Sequence, residues 1–98
     1  MEILNIIKAL GNPTRLQILK WLQAPEDYFP DQQEPLSTGV CVGQMQKVGN
    51  LPVSTISEHL MVLQKAGILS SEKKGQWVYY KRNDDLIAEF LTCLNKHI

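Results

Sequence analysis

The chain is poor in the residues that build small secreted or membrane proteins. It has two cysteines in 98 residues, Cys41 and Cys93, too few for the disulfide frameworks that hold small oxidised domains together. No apolar run comes near the ~18 residues of a membrane-spanning helix. The opening MEILNIIKAL is broken by Asn5 and Lys8 and has no small-residue cleavage site, so it does not read as a secretory leader. A cytoplasmic chain with reduced thiols and no membrane partner is expected. Catalytic sets are missing too: there is no Ser-His-Asp or Cys-His spacing with an orienting acid, no phosphate-binding glycine loop and no paired carboxylates, so an enzyme is not expected. The chain also lacks an excess of either charge. Ten cations balance ten acids, which argues against a generic polyanion binder.

What is present is an ordinary globular composition, 44% hydrophobic and 20% charged. Residues 1–98 make one domain, with a core small enough that burying more apolar surface in a dimer would help it. The balanced charge is unevenly spread. Residues 47–82 hold six cations, Lys47, Lys65, Lys73, Lys74, Lys81 and Arg82, against Glu58 and Glu72, a net +4 between flanks of −2 each.

Apolar spacing divides the chain into elements. Ile3, Ile6, Ile7 and Leu10 mark a first helix that stops at Gly11. Asn12-Pro13 is an N-cap followed by proline at the first helical position, and Leu16, Ile18, Leu19 and Leu22 give the buried side of a second helix. Residues 25–38, PEDYFPDQQEPLST, carry three prolines, four acids and no base. They read as an inserted acidic loop, with Tyr28 and Phe29 folding part of it back onto the body. Val40 to Val42 is a short strand or a helix entry, Gly43 to Val48 a third helix, and Gly49-Asn50 a sharp turn.

From Val53 the apolar residues Ile56, Leu60 and Leu63 predict a fourth, amphipathic helix ending at Gly67. At about 100° per residue, Ser54, Glu58, Met61 and Lys65 fall on its opposite face, with Ser57 at the edge. Residues 68–73 and 77–81 read as a β-hairpin with Lys74-Gly75-Gln76 at its turn. Either the Trp77/Tyr79 or the Val78/Tyr80 side of the returning strand should pack on the body. Asp84-Asp85 starts a last helix, with acids at its N-terminus as the macrodipole favours. The order is mainly α with a small β-hairpin, that of a winged helix-turn-helix with about five helices and a wing.

Three stretches, ALGNPTRLQILKWL, STISEHLMVLQKAGIL and GQWVYYKRN, resemble the arsenic-repressor (ArsR/SmtB-type) family of bacterial transcriptional regulators. The resemblance covers nearly the whole chain outside 25–38. It implies a homodimer through the first and last helices, the fourth helix in the major groove of operator DNA, the wing beside the backbone, and a repressor that leaves its operator when an inducer binds. On that reading Val53, Ser54, Thr55, Ser57, Glu58 and His59 are candidate DNA contacts on the helix, with Lys65 at its far end and Lys73, Lys74 and Gln76 on phosphates at the wing. His59, near the apolar face, also reads as a packed side chain. Ile3, Ile6, Ile7 and Leu10 with Leu86, Phe90, Leu91 and Leu94 supply the dimer interface, since they offer more apolar surface than a small wing-and-helix core is expected to cover.

The chain departs from the family in places. Pro52-Val53 stands where relatives often have Ser-Gln, and Glu58 where they often have a basic residue or His. The soft-metal motif Cys-Val-Cys is here Cys41-Val42-Gly43. Soft-metal capture needs converging thiolates, so no metal cofactor is expected at that place. On the last helix, Asp84, Asp85, Glu89, Cys93 and His97 lack a second histidine at the spacing zinc-binding members use. Two alternatives stay open: a thiol-redox or polysulfide-responsive regulator using Cys41 and Cys93, and a winged-helix adaptor that binds protein rather than DNA.

Overall fold

The apolar spacing gives most of what the helices bury, but Leu16, expected on the buried side of the second helix, is exposed and Trp21 is buried there with Ile18 and Leu22. The computed structural model describes Met1–Ile98 and contains six helices, α1 (Ile3–Leu10), α2 (Pro13–Gln23), α3 (Pro25–Tyr28), α4 (Val42–Gly49), α5 (Val53–Lys65) and α6 (Asp84–His97), with a 3₁₀ turn at Leu36–Thr38. Three strands, β1 (Val40–Cys41), β2 (Leu69–Lys74) and β3 (Trp77–Arg82), form an antiparallel sheet in the order β1-β3-β2. Fourteen buried residues make one contiguous core, twelve from α1, α2, α4, α5, α6 and the strands, with Phe29 and Ile68 beside them. None of the helices is long and apolar enough to cross a membrane.

Local chemistry sets the boundaries. The Asn12 side-chain oxygen accepts from the backbone N–H of Thr14 and Arg15 at 2.9 and 3.1 Å, satisfying two of the unpaired donors at the start of α2. Asn50 ends α4 in the left-handed region at φ 52°, and its N–H donates to the Gln46 carbonyl at 2.8 Å. That conformation is one asparagine tolerates better than most residues, and it lets α5 follow α4 after three residues. Asn83 caps α6 by accepting from the Leu86 N–H at 3.3 Å, while its amide donates to the Gly67 carbonyl at 3.1 Å. One side chain thus ties the start of α6 to the turn that ends α5.

The segment 25–38 departs from the expected loop. It opens with the helical turn α3, and Phe29 is 1% exposed, edge-on to Trp21 with ring centroids 6.1 Å apart. Gln32 then clamps it. Its amide donates to the carbonyls of Gly39 (2.8 Å) and Glu34 (3.0 Å), and its side-chain oxygen accepts from the Cys41 N–H at 3.1 Å. Gly39, at φ +122°, lies so close to β3 that an added Cβ would stand 2.8 Å from the Tyr80 carbonyl oxygen. An acidic, proline-rich composition signalled irregular backbone correctly. Its aromatics signalled the return to the body that Phe29 makes, but nothing in the composition showed that the Gln32 amide would clamp that backbone to the sheet.

A second correction concerns the terminal helices. Ile6 and Phe90 are 2% and 4% exposed within a single chain, so their side chains are not free to meet a partner. Ile3, Leu10, Leu86 and Leu94 are half-buried against the core, and Ile7 and Leu91 are exposed together with Leu4. The stripe on each helix is wide enough to serve the core on one edge and solvent on the other.

Because Phe29 is a core residue, Phe29→Ala should cost about 3–5 kcal/mol, as truncation of a buried phenylalanine usually does. Urea denaturation measures it, and a loss below about 1 kcal/mol would show that the segment adds nothing to the core.

Candidate nucleic-acid interface

Helix α5 is held by Ile56, Leu60 and Leu63, each without exposed surface. With that side against the core, the 3.6-residue period turns the others outward. Val53, Ser54, Glu58, Met61 and Lys65 are exposed, and Thr55 and Ser57 are half-buried at the edges. The outward row is the one the spacing predicts. It presents an aliphatic end at Val53, a hydroxyl at Ser54, a carboxylate at Glu58 and a thioether at Met61.

The start of α5 lies beside the wing. Val53 and Trp77 line one groove together with Cys41, Val42, Gln46 and Tyr80. Strands β2 and β3 pair from Leu69 opposite Arg82 out to Lys74 opposite Trp77, leaving Gly75-Gln76 as a two-residue turn. Lys73, Lys74 and Gln76 are exposed at this tip. Lys74 is not free, however: its Nζ lies 2.7 Å from Glu34 Oε1. The hydrogen bond and the charge of Glu34 hold the Lys74 ammonium above its ordinary pKa.

Several candidates do not join this surface. Lys65, at the last turn of α5, lines a separate cleft with Lys8 and Arg15; twelve residues of helix place it roughly 18 Å from Val53. There it complements the C-terminal end of the helix dipole. His59 is half-buried, and its Nδ1 lies 3.2 Å from Arg15 Nη1. A guanidinium only donates, so Nδ1 is the acceptor, and the ring faces α2 rather than solvent. Arg15 also donates to the carbonyls of Ala9 and Lys8, capping the last turn of α1. Arg15 was not legible as a site residue because helical periodicity is silent about a side chain that reaches three helices.

Trp77 belongs to one of the two sides of the returning strand that the sequence left open for packing. Its neighbour in the pattern, Tyr79, is buried, but Trp77 is 56% exposed. The side of the sheet that meets the core is the other one, with Val40, Leu69 and Tyr80, so Trp77 lies on the face turned away from the core. The thiols separate as well. Both are free; Cys41 borders the groove with Val53, whereas Cys93 lies on the distal half of α6 beside Met1, Glu89 and Lys96. They line different clefts, and neither borders the other's. On the same helix, His97 Nδ1 lies 2.9 Å from the Cys93 carbonyl oxygen.

No family model matches the chain. An uncharacterised HTH-type transcriptional regulator of Bacillus subtilis, YbzH, is 38% identical over the full length of both chains. With that match, the three motifs stand on the elements where the resemblance put them. The chain belongs to the ArsR/SmtB family of helix-turn-helix transcriptional regulators. The transcriptional repressor SdpR of Bacillus subtilis is 30% identical, spanning 94% of this chain and 92% of its own. Among solved structures, the homodimeric winged helix-turn-helix DNA-binding domain Mb0332 of Mycobacterium bovis, a possible ArsR-family regulator, matches with a TM-score of 0.68 over 97% of this chain and 77% of that one. At 22% identity that likeness shows the fold alone.

Since His59 serves Arg15 rather than solvent, His59→Ala should lower stability by about 1 kcal/mol, the net worth of a part-buried hydrogen bond. Duplex affinity should stay within about twofold of the parent. Tenfold weaker binding with an unchanged urea midpoint would instead make His59 a base reader.

Proposed function

We propose that this regulator is a dimeric repressor that lays α5 in the major groove of its operator and sets the wing on the adjacent backbone. The observation that carries the reading is the pairing of one helix, buried completely along one side, with a wing that shares a groove with its first residue. A major groove about 12 Å wide admits such a helix, and the N-terminal residues of recognition helices are the ones that reach base edges. Ser54 and Ser57 supply hydroxyls for bases or phosphates, Glu58 accepts from a cytosine amino group, and Val53 meets a thymine methyl. The net +4 of residues 47–82 supplies the attraction to phosphate. The repressor SdpR, similar over nearly its whole length, supports the direction of regulation.

The dimer follows from apolar surface left over. Leu4, Ile7 and Leu91 are exposed on α1 and α6, the last at 56%. Beside them an apolar depression of about 100 Å³ is lined by Leu10, Leu19, Leu86, Ile87 and Leu91, among others. A second copy covers this face and sets two recognition helices one DNA turn, roughly 34 Å, apart. Release by an inducer completes the reading and rests on the family resemblance. Gly43 takes the place of the family's second soft-metal thiol, and soft-metal capture needs converging thiolates, so on this reading the inducer is not a soft metal held there.

Fluorescence anisotropy on a labelled duplex from the region upstream of its own coding sequence tests the DNA reading. Affinity should fall at least about tenfold between 50 and 200 mM salt, and Ser54→Ala should weaken this duplex about tenfold with little change on a scrambled one. No salt-dependent binding to any duplex would defeat it. Sedimentation should give about twice the 11.1 kDa chain mass, and Leu91→Glu should shift it to monomer; a monomeric parent at micromolar concentration refutes the dimer.

A further inference from the structure

Lys74 stands at the outermost ladder position of the wing, opposite Trp77, where the proposed DNA reading needs an unpaired cation. Instead its ammonium is held at 2.7 Å by the Glu34 carboxylate, forty residues away in sequence. The pair is not a chance meeting of two flexible surface chains. Glu34 is half-buried, and its own carbonyl accepts from the Gln32 amide at 3.0 Å. It precedes Pro35, which disfavours helical backbone at the residue before it, and it stands in a bend just ahead of the 3₁₀ turn. Gln32 is in turn bonded to Gly39 and Cys41 at the sheet edge, and Phe29 roots the segment in the core. Three anchors therefore deliver one carboxylate to the wing tip and keep it there.

We propose that Glu34 is an internal rival of DNA phosphate for Lys74, so that segment 25–38 is a built-in brake on operator affinity. The inference rests on the reading of the wing as a phosphate contact. In the free protein the carboxylate occupies the ammonium that a phosphate oxygen would take. Glu72, on the wing itself, adds to the negative field on Lys74 but makes no hydrogen bond to it. Binding one more phosphate releases about 0.9 of a counterion, so lifting the brake should change the salt dependence as well as the affinity. A carboxylate that only stabilised the fold would leave the salt slope where it was.

The test is a cycle of full-length variants on the labelled upstream duplex, each titrated across a salt series, with urea midpoints checked for every protein. Glu34→Gln should tighten binding about three- to tenfold at low salt and steepen the slope of log K against log salt by about 0.9, with an unchanged midpoint. Lys74→Gln should shift the parent's affinity less than about twofold, since that cation is already engaged, yet cancel the whole gain in the Glu34→Gln background. Glu72→Gln, the control for net charge, should give a smaller gain that Lys74→Gln does not cancel. Equal affinity and slope for parent and Glu34→Gln overturn the inference while leaving the DNA reading intact. A Glu34→Gln gain that survives Lys74→Gln, or one that Glu72→Gln reproduces in full, overturns it as well. A parent that binds no duplex removes the DNA reading, and the brake with it.

Discussion

Everything this protein presents to a partner depends on how α5 is seated. Its three inner residues have no exposed surface, and α1, α2, α4 and β2 all pack around the same helix. Each fully buried leucine or isoleucine contributes on the order of 2 kcal/mol relative to exposure. Rotating the helix by half a turn would expose that row and bury Ser54 and Glu58 without partners, which is costlier still. The outward face is therefore set by what is inward. A side chain on such a helix can be exchanged for another without loosening the helix itself, so the scaffold is separable from whatever its surface reads.

The wing is coupled to that helix from two sides. On one, β3 and the start of α5 share the groove between Trp77 and Val53. On the other, segment 25–38 reaches the sheet edge through Gln32 and the wing tip through Glu34. A two-stranded ribbon alone is marginally stable in water. Here the third strand β1 and the segment leading into it turn the ribbon's inner half into part of the domain. The tip beyond is left projecting, with its exposed tryptophan and lysines.

Electrostatics follows the same division. The chain has no net charge, yet four of its cations, Lys73, Lys74, Lys81 and Arg82, gather on the wing strands and most of its acids lie on the flanking segments. Distribution rather than total decides what field a surface carries. Folding refines this further, because Glu34 leaves the acidic segment and sits against a wing lysine. Counting charges along the sequence assigns that carboxylate to a remote loop, whereas in space it belongs to the basic face.

Periodicity and end signals are local, and they determined the helices, the capping at Asn12, the two-residue turn of the hairpin and which side of α5 faces out. The resemblance carried by three short motifs placed those elements in one family. Tertiary structure alone decided the rest. It turned His59 toward Arg15, split the apolar stripes of α1 and α6 between core and surface, left Trp77 bare, parted Cys41 from Cys93, and drew an acidic segment onto the sheet. The reason is common to all five. Each depends on contacts between residues far apart in the chain, and the pattern around a residue records which way it points but not what stands there to meet it.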